Sequence, residues 1–113
     1  MPTLRKRLLI LDHDDTVVNS TAHIHYPAYL EAMKALRPGT AMSLDEYFVM
    51  NCDPGIFHYY EQVVRLTPNE MKREFNIWRA YVRDRVPTVF PGMRHIIETQ
   101  LALGGMICVV THS

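Results

Sequence analysis

Cysteine is scarce in this chain: Cys52 and Cys108 are the only two, far apart and in neither a metal-type nor a redox spacing. That argues against a disulfide framework, and Cys108, inside an apolar run, reads as a buried thiol. An excess of one charge is also lacking. Twelve basic residues balance twelve acidic ones, and the one basic run is Arg5-Lys6-Arg7, which reads as a solvated lead-in to a strand. Nothing in that balance suggests a nucleic-acid surface. No apolar stretch approaches the length of a membrane span. Leu8 to Leu11 is too short for the core of a signal peptide and runs straight into Asp12, so the expected compartment is the cytoplasm. Internal repeats and low-complexity segments are missing too.

What is present is the material of one ordinary domain. The chain has 113 residues, nearly half of them apolar, enough for a packed globule. Leu8-Leu9-Ile10-Leu11 is a continuous apolar run that stops abruptly at charge, the pattern of a strand buried on both faces. Met106 to Val110 has the same character and stops at Thr111-His112-Ser113. Between these two strands the chain reads as successive helices. One spans Pro27 to Leu36 and is closed by Pro38-Gly39. Ser43-Leu44-Asp45-Glu46 is a capping-box pattern that opens a short helix to about Met50. Asp53-Pro54 places a capping carboxylate before a first-turn proline, so a helix is expected from Pro54 to Arg65. Thr67-Pro68-Asn69-Glu70 is a second capping box, opening a helix to about Arg83. Its mostly apolar stripe of Phe75, Trp78, Ala80 and Val82 reads as bundle core. Pro87 to Pro91 is a linker. Gly92 to Leu103 is an amphipathic helix with Met93, Ile96, Ile97 and Leu101 on one face, ended by Gly104-Gly105.

The order is therefore strand, helical insertion, crossover helix, strand. A final helix and strand imply a right-handed parallel crossover, and the insertion is too long and regular to be a loop. The expected fold class is α/β. The domain division is a core from residues 1–19 and 87–113 and a helical subdomain from 20–86.

Asp12-His13-Asp14-Asp15-Thr16 follows the first strand directly. Residues two apart in extended backbone project to one face, so Asp12 and Asp14 converge on one point. Open α/β sheets bind ligands beyond the C-terminal ends of their strands. Two carboxylates placed there repel, which raises the pKa of one relative to the other and suits a nucleophile beside an acid/base group. A divalent cation would offset the repulsion, and oxygen ligands favour magnesium. The alternative is a solvated acidic turn with capping potential.

Leu8 to Val17, with Asp12-His13-Asp14-Asp15-Thr16 at its centre, resembles the first motif of the haloacid dehalogenase superfamily. Val109-Val110-Thr111-His112-Ser113 is similar to the second motif. The helical insertion looks like the C1-type cap of that family, and Phe90-Pro91-Gly92 resembles its re-entry step. The resemblance implies a partial Rossmannoid core with an inserted helical cap. It also implies a magnesium-dependent phosphate-monoester hydrolase acting on a small phosphorylated metabolite. In that reading Asp12 is the nucleophile that becomes an aspartyl-phosphate, and Asp14 protonates the leaving alcohol and then helps activate water. The Asp12 carboxylate and the Asp14 main-chain carbonyl bind magnesium, Thr16 braces the turn, and Thr111 and the His112 backbone N–H hold the phosphoryl group. Asp15 stands where the family usually has glycine, at a turn of unusual backbone angles that aspartate tolerates. Asp14 argues against the dehalogenase branch.

The family's third and fourth motifs lie after the second. Lys6, Lys34 and Lys72 all precede it, so none matches the third. The expectation is a fragment lacking roughly half of the core, unstable or dimer-prone and inactive by itself, since two parallel strands alone make a poor sheet. A phosphomutase using the same two aspartates is the second enzymatic reading, and a non-catalytic remnant or binding module is the third. A receiver domain fits poorly, because it has no long helical insertion after its first strand. His23 and His25 lie just past the first motif and read as surface or cap-packing residues; two histidines at that spacing do not make a zinc site. His58, Tyr59 and Tyr60 read as cap surface and core.

Overall fold

In the computed structural model, residues 7–111 of the chain are described. They divide into two compact units. One joins the N-terminal stretch to Ser20 with the stretch from Pro87 onward; the other runs from Thr21 to Val86.

The first unit is built on two parallel strands, β1 (Leu8–Asp12) and β2 (Met106–Val110), in the register Leu8 to Met106 through Asp12 to Val110. Helix α5 (Met93–Ala102) lies between them in sequence and covers one sheet face. Leu11, Val17 and Val18 are buried there, with Leu9, Ile107, Met93 and Ile97 packed around them. Alternate strand residues point to opposite faces, and the second face finds no such cover among the described residues. Ile10 is 61% exposed and Met106 62%. The strands are thus not buried on both sides as their continuous apolar character predicts, and Cys108 is exposed rather than buried. A two-stranded sheet is also narrow, with strands about 4.8 Å apart, so it covers only a thin stripe of α5. Met93 and Ile97, one turn apart, use that stripe, whereas Ile96 and Leu101 remain half exposed. Gly92 lies just outside the helix as its N-cap at φ +83°.

The second unit is helical. A π-turn over Thr21–His25 runs into α1 (Tyr26–Leu36), followed by α2 (Leu44–Cys52). Ser43 caps α2 by accepting the Glu46 N–H at 3.3 Å. The helix expected from Pro54 is displaced. Asp53 belongs to the end of α2, where its N–H bonds to the Val49 carbonyl at 3.1 Å. Gly55, at φ +105°, then precedes a single turn, α3 (Ile56–His58), which opens into a second π-turn, Tyr59–Val63. The Asp53 backbone is already committed to closing α2, so it does not open a new helix.

Helix α4 (Pro68–Val82) starts as its capping box dictates. Thr67 accepts the Glu70 N–H at 3.2 Å, and the Glu70 carboxylate accepts the Thr67 N–H at 3.0 Å. Arg37, at the end of α1, ties this start down. Its guanidinium clasps the Glu70 carboxylate and donates to the Val64 and Arg65 carbonyls, each at 3.1 Å. The inward side of α4 is not the Phe75–Val82 stripe. Met71 and Ile77 pack on the core with Glu74 buried between them, whereas Phe75 is half exposed and Ala80 exposed.

The core of this unit gathers Tyr29, Met33, Leu36, Tyr47, Tyr59 and Tyr60. Tyr29 and Met33 are completely enclosed; each such burial contributes about 2–3 kcal/mol as an upper estimate. The polar tips of the tyrosines are satisfied in a chain. Tyr29 donates to the Tyr59 hydroxyl at 3.0 Å and accepts the Met42 N–H at 2.9 Å. Tyr59 passes its own proton to the Thr40 carbonyl at 3.2 Å. Rings and hydroxyls together fix the 40–42 segment against α1.

Candidate active site

The residues that end β1 form a tight turn. Asp12 is its last strand residue, exposed, with one carboxylate oxygen accepting the His13 N–H at 2.9 Å. The His13 carbonyl then collects the N–H groups of Thr16, Val17 and Val18 at 3.4, 3.1 and 3.3 Å. The Asp15 N–H closes the turn onto the Val18 carbonyl at 2.8 Å. This path requires Asp15 to adopt φ +59°, the left-handed region that aspartate enters more readily than most residues. Thr16 takes part through its backbone.

Asp14 is half-buried, and its Oδ1 accepts the Ser20 hydroxyl at 2.8 Å. Ser20 is only 3% exposed, so this oxygen has a fixed orientation. The His13 Nδ1 lies 3.4 Å from the same oxygen, in a geometry too poor for a hydrogen bond. Ser20 and the His13 carbonyl were not legible as site elements. Ser20, between Asn19 and Thr21, stands in a short polar stretch after Val17-Val18 that marks no one residue.

The second strand brings Thr111 to the same end of the sheet. Val110 is the register partner of Asp12, and Thr111 is the next residue, exposed. His112 lies outside the described residues. Where the chain leaves and re-enters this unit, Val18 and Val89 form an antiparallel bridge. It is flanked by Asn19 N–H to Thr88 carbonyl at 2.8 Å and Phe90 N–H to Val17 carbonyl at 3.0 Å. That stitch holds the end of the acidic turn.

Among the described residues, no group of three or more His, Cys, Asp or Glu side chains is arranged to hold a metal ion. The groups at the strand end are nevertheless oxygen donors, the type magnesium takes, and magnesium sites commonly use only one or two protein carboxylates. The donor set fits the ion in kind through the Asp12 carboxylate and the Asp14 carbonyl.

In the helical unit, His23 is exposed, and His25 is half-buried with its ring stacked on Trp78, centroids 5.7 Å apart. Both are packing and surface residues there. No helix among the described residues is long and apolar enough to cross a membrane.

No family model matches the chain, and no curated protein does. Solved structures do. A provisionally named phosphatase from Clostridium difficile superposes with a TM-score of 0.72 at 16% identity, over 93% of this chain and 48% of that one. A predicted phosphoglycolate phosphatase from Haemophilus somnus 129PT gives 0.69 at 21% identity, over 93% of this chain and 51% of that one. This chain thus spans about half the length of the solved chains it matches. Over the matched length its fold is that of these solved structures, an α/β chain with two parallel strands and a helical unit inserted between them.

Proposed function

We propose that the protein carrying this chain hydrolyses phosphate monoesters of small metabolites through an aspartyl-phosphate on Asp12. One observation carries the reading. The exposed Asp12 carboxylate ends β1, and Thr111 follows its register partner, within a fold shared with proteins named as phosphatases. The alternative of a merely solvated turn leaves unexplained why Asp14 is half-buried and oriented by a buried serine.

The chemistry follows from those positions. An Asp12 carboxylate oxygen attacks phosphorus while the ester P–O bond breaks, and the departing alkoxide takes its proton from the Asp14 carboxyl group. Ser20, donating to Asp14, holds that carboxyl in one rotamer. Asp14, now ionised, accepts a proton from water as the water attacks the acyl phosphate. Phosphate leaves and the Asp12 carboxylate is restored. In this reading Thr111 donates to the transferring phosphoryl group, which its place after the register partner of Asp12 supports. Magnesium would supply charge neutralisation between the carboxylates and the phosphoryl oxygens. A mutase would return the phosphoryl group to substrate with the same two aspartates, and product analysis separates the two.

The test is phosphate release from an aryl phosphate with and without magnesium, measured on the protein carrying this chain. Asp12→Asn should abolish turnover with the circular dichroism spectrum unchanged, and should remove a hydroxylamine-labile phosphoryl label. Retained turnover in Asp12→Asn would falsify the nucleophile assignment.

A further inference from the structure

Helix α4 turns one carboxylate inward. Glu74 is only 7% exposed, and its Oε1 accepts the Tyr60 hydroxyl at 2.9 Å. Burial pushes its pKa up, and the bond from Tyr60 only partly opposes that shift. Beside it lies a cavity of about 350 Å³ within the helical unit. Its walls include Tyr47 and Tyr60, buried, and Trp78, half-buried. Phe57 and Phe75 also line it, although they are 66% and 51% exposed. No lysine or arginine lines it, Glu74 is its one acidic residue, and His25, stacked on Trp78, is its one histidine.

We propose that this cavity is a binding site for a small organic cation, a methylated or alkyl ammonium group, with Glu74 as counter-ion and the aromatic rings as its cage. Three observations converge on that occupant. Ring faces attract a cation through their quadrupole, most strongly when it is desolvated, and Tyr47, Phe57, Tyr60, Phe75 and Trp78 are half of the lining residues. A buried carboxylate without a cationic side chain beside it is costly, and a bound ammonium would remove that cost. An anion such as phosphate would meet the Glu74 carboxylate with no lysine or arginine to compensate. If Glu74 served only as an acceptor for Tyr60, a neutral amide would do the same work, and that difference can be measured. Every lining residue belongs to the helical unit, and the test below does not use the phosphatase reading.

Trp78 is the one tryptophan of the chain, so its fluorescence reports directly on the wall. The chain is titrated with choline and, at matched ionic strength, with its uncharged isostere in which a tert-butyl group replaces the trimethylammonium. We expect a saturable change with choline and binding at least about tenfold weaker for the isostere, the ratio that about 1.4 kcal/mol of charge-dependent affinity produces. Glu74→Gln, which preserves an acceptor for Tyr60, should lose a similar factor. Phe75→Leu, on a half-exposed ring, should weaken choline binding with the helical circular dichroism intact, which keeps the test decisive if Glu74→Gln fails to fold. Equal binding of choline and isostere would show an apolar cavity only and overturn the proposal. So would the absence of any saturable change, or wild-type choline affinity in either variant that folds.

Discussion

Replacing Tyr29 by phenylalanine removes one oxygen atom from the centre of the helical unit and leaves the ring in place. The hydroxyl both accepts the Met42 N–H and donates to Tyr59, and Tyr29 is fully enclosed. Losing it strands a buried backbone donor, which costs about 1–3 kcal/mol. Tyr59 keeps its own acceptor, the Thr40 carbonyl, so the loss of the second bond adds little. The expected destabilisation is therefore about 2 kcal/mol. Tyr59→Phe strands no backbone N–H, because Tyr59 donates to Thr40 and accepts only from the hydroxyl of Tyr29. It should cost about 1 kcal/mol. Urea unfolding followed by Trp78 fluorescence reads this unit, and with a slope of about 2 kcal/mol/M the Tyr29→Phe midpoint should fall by about 1 M. A shift below about a quarter of that, or a larger loss in Tyr59→Phe than in Tyr29→Phe, would refute the assignment of the Met42 N–H as the dependent group.

Two further outcomes rest on the same physical reasoning. The Arg37 guanidinium and the Thr67 N–H hold the Glu70 carboxyl down to about 2, below its ordinary value of 4.5. A depressed carboxyl stabilises the fold above its unfolded pKa and loses that contribution as pH falls through the folded one. The thermal midpoint should therefore drop between about pH 4.5 and pH 2, and Glu70→Gln should flatten its share of that drop while lowering the midpoint at neutral pH. Equal pH profiles for wild type and variant would contradict this. At Gly92, φ is +83° and an added Cβ would meet nothing within 4 Å, so Gly92→Ala should cost only the conformational penalty of about 1–2 kcal/mol. Calorimetry showing no loss would mean that the turn relaxes.

The sequence was most legible where local chemistry decides structure. Thr67 and Glu70 specify a reciprocal cap whatever surrounds them, and α4 begins where they place it. The abrupt change from Leu11 to Asp12 marked a strand end, and Asp15 could be read as a residue able to take positive φ. Features that depend on distant partners were illegible. Asp53-Pro54 carries a local helix-start signal, but the end of α2 had already claimed the Asp53 backbone. Nothing local singles out Glu74, whose burial depends on the Tyr60 hydroxyl arriving from another turn. Ile10 and Cys108 read as core because their neighbours are apolar, yet burial depends on what lies across the sheet. The placement of Thr111 beyond the register partner of Asp12 followed from strand order, whereas Ser20 needed the three-dimensional turn.

The bridge between Val18 and Val89 has a consequence for how such a molecule can change. It brings the exit and return of the chain within one hydrogen bond of each other. Closing a loop costs free energy that grows only logarithmically with its length, so what lies between these two points scarcely affects the closure. The helical unit is in that sense a cassette, exchangeable for a shorter turn or a different bundle while the strand register that positions Asp12 stays as it is. Selection could then revise the helical unit and the strand end that carries Asp12 on separate schedules.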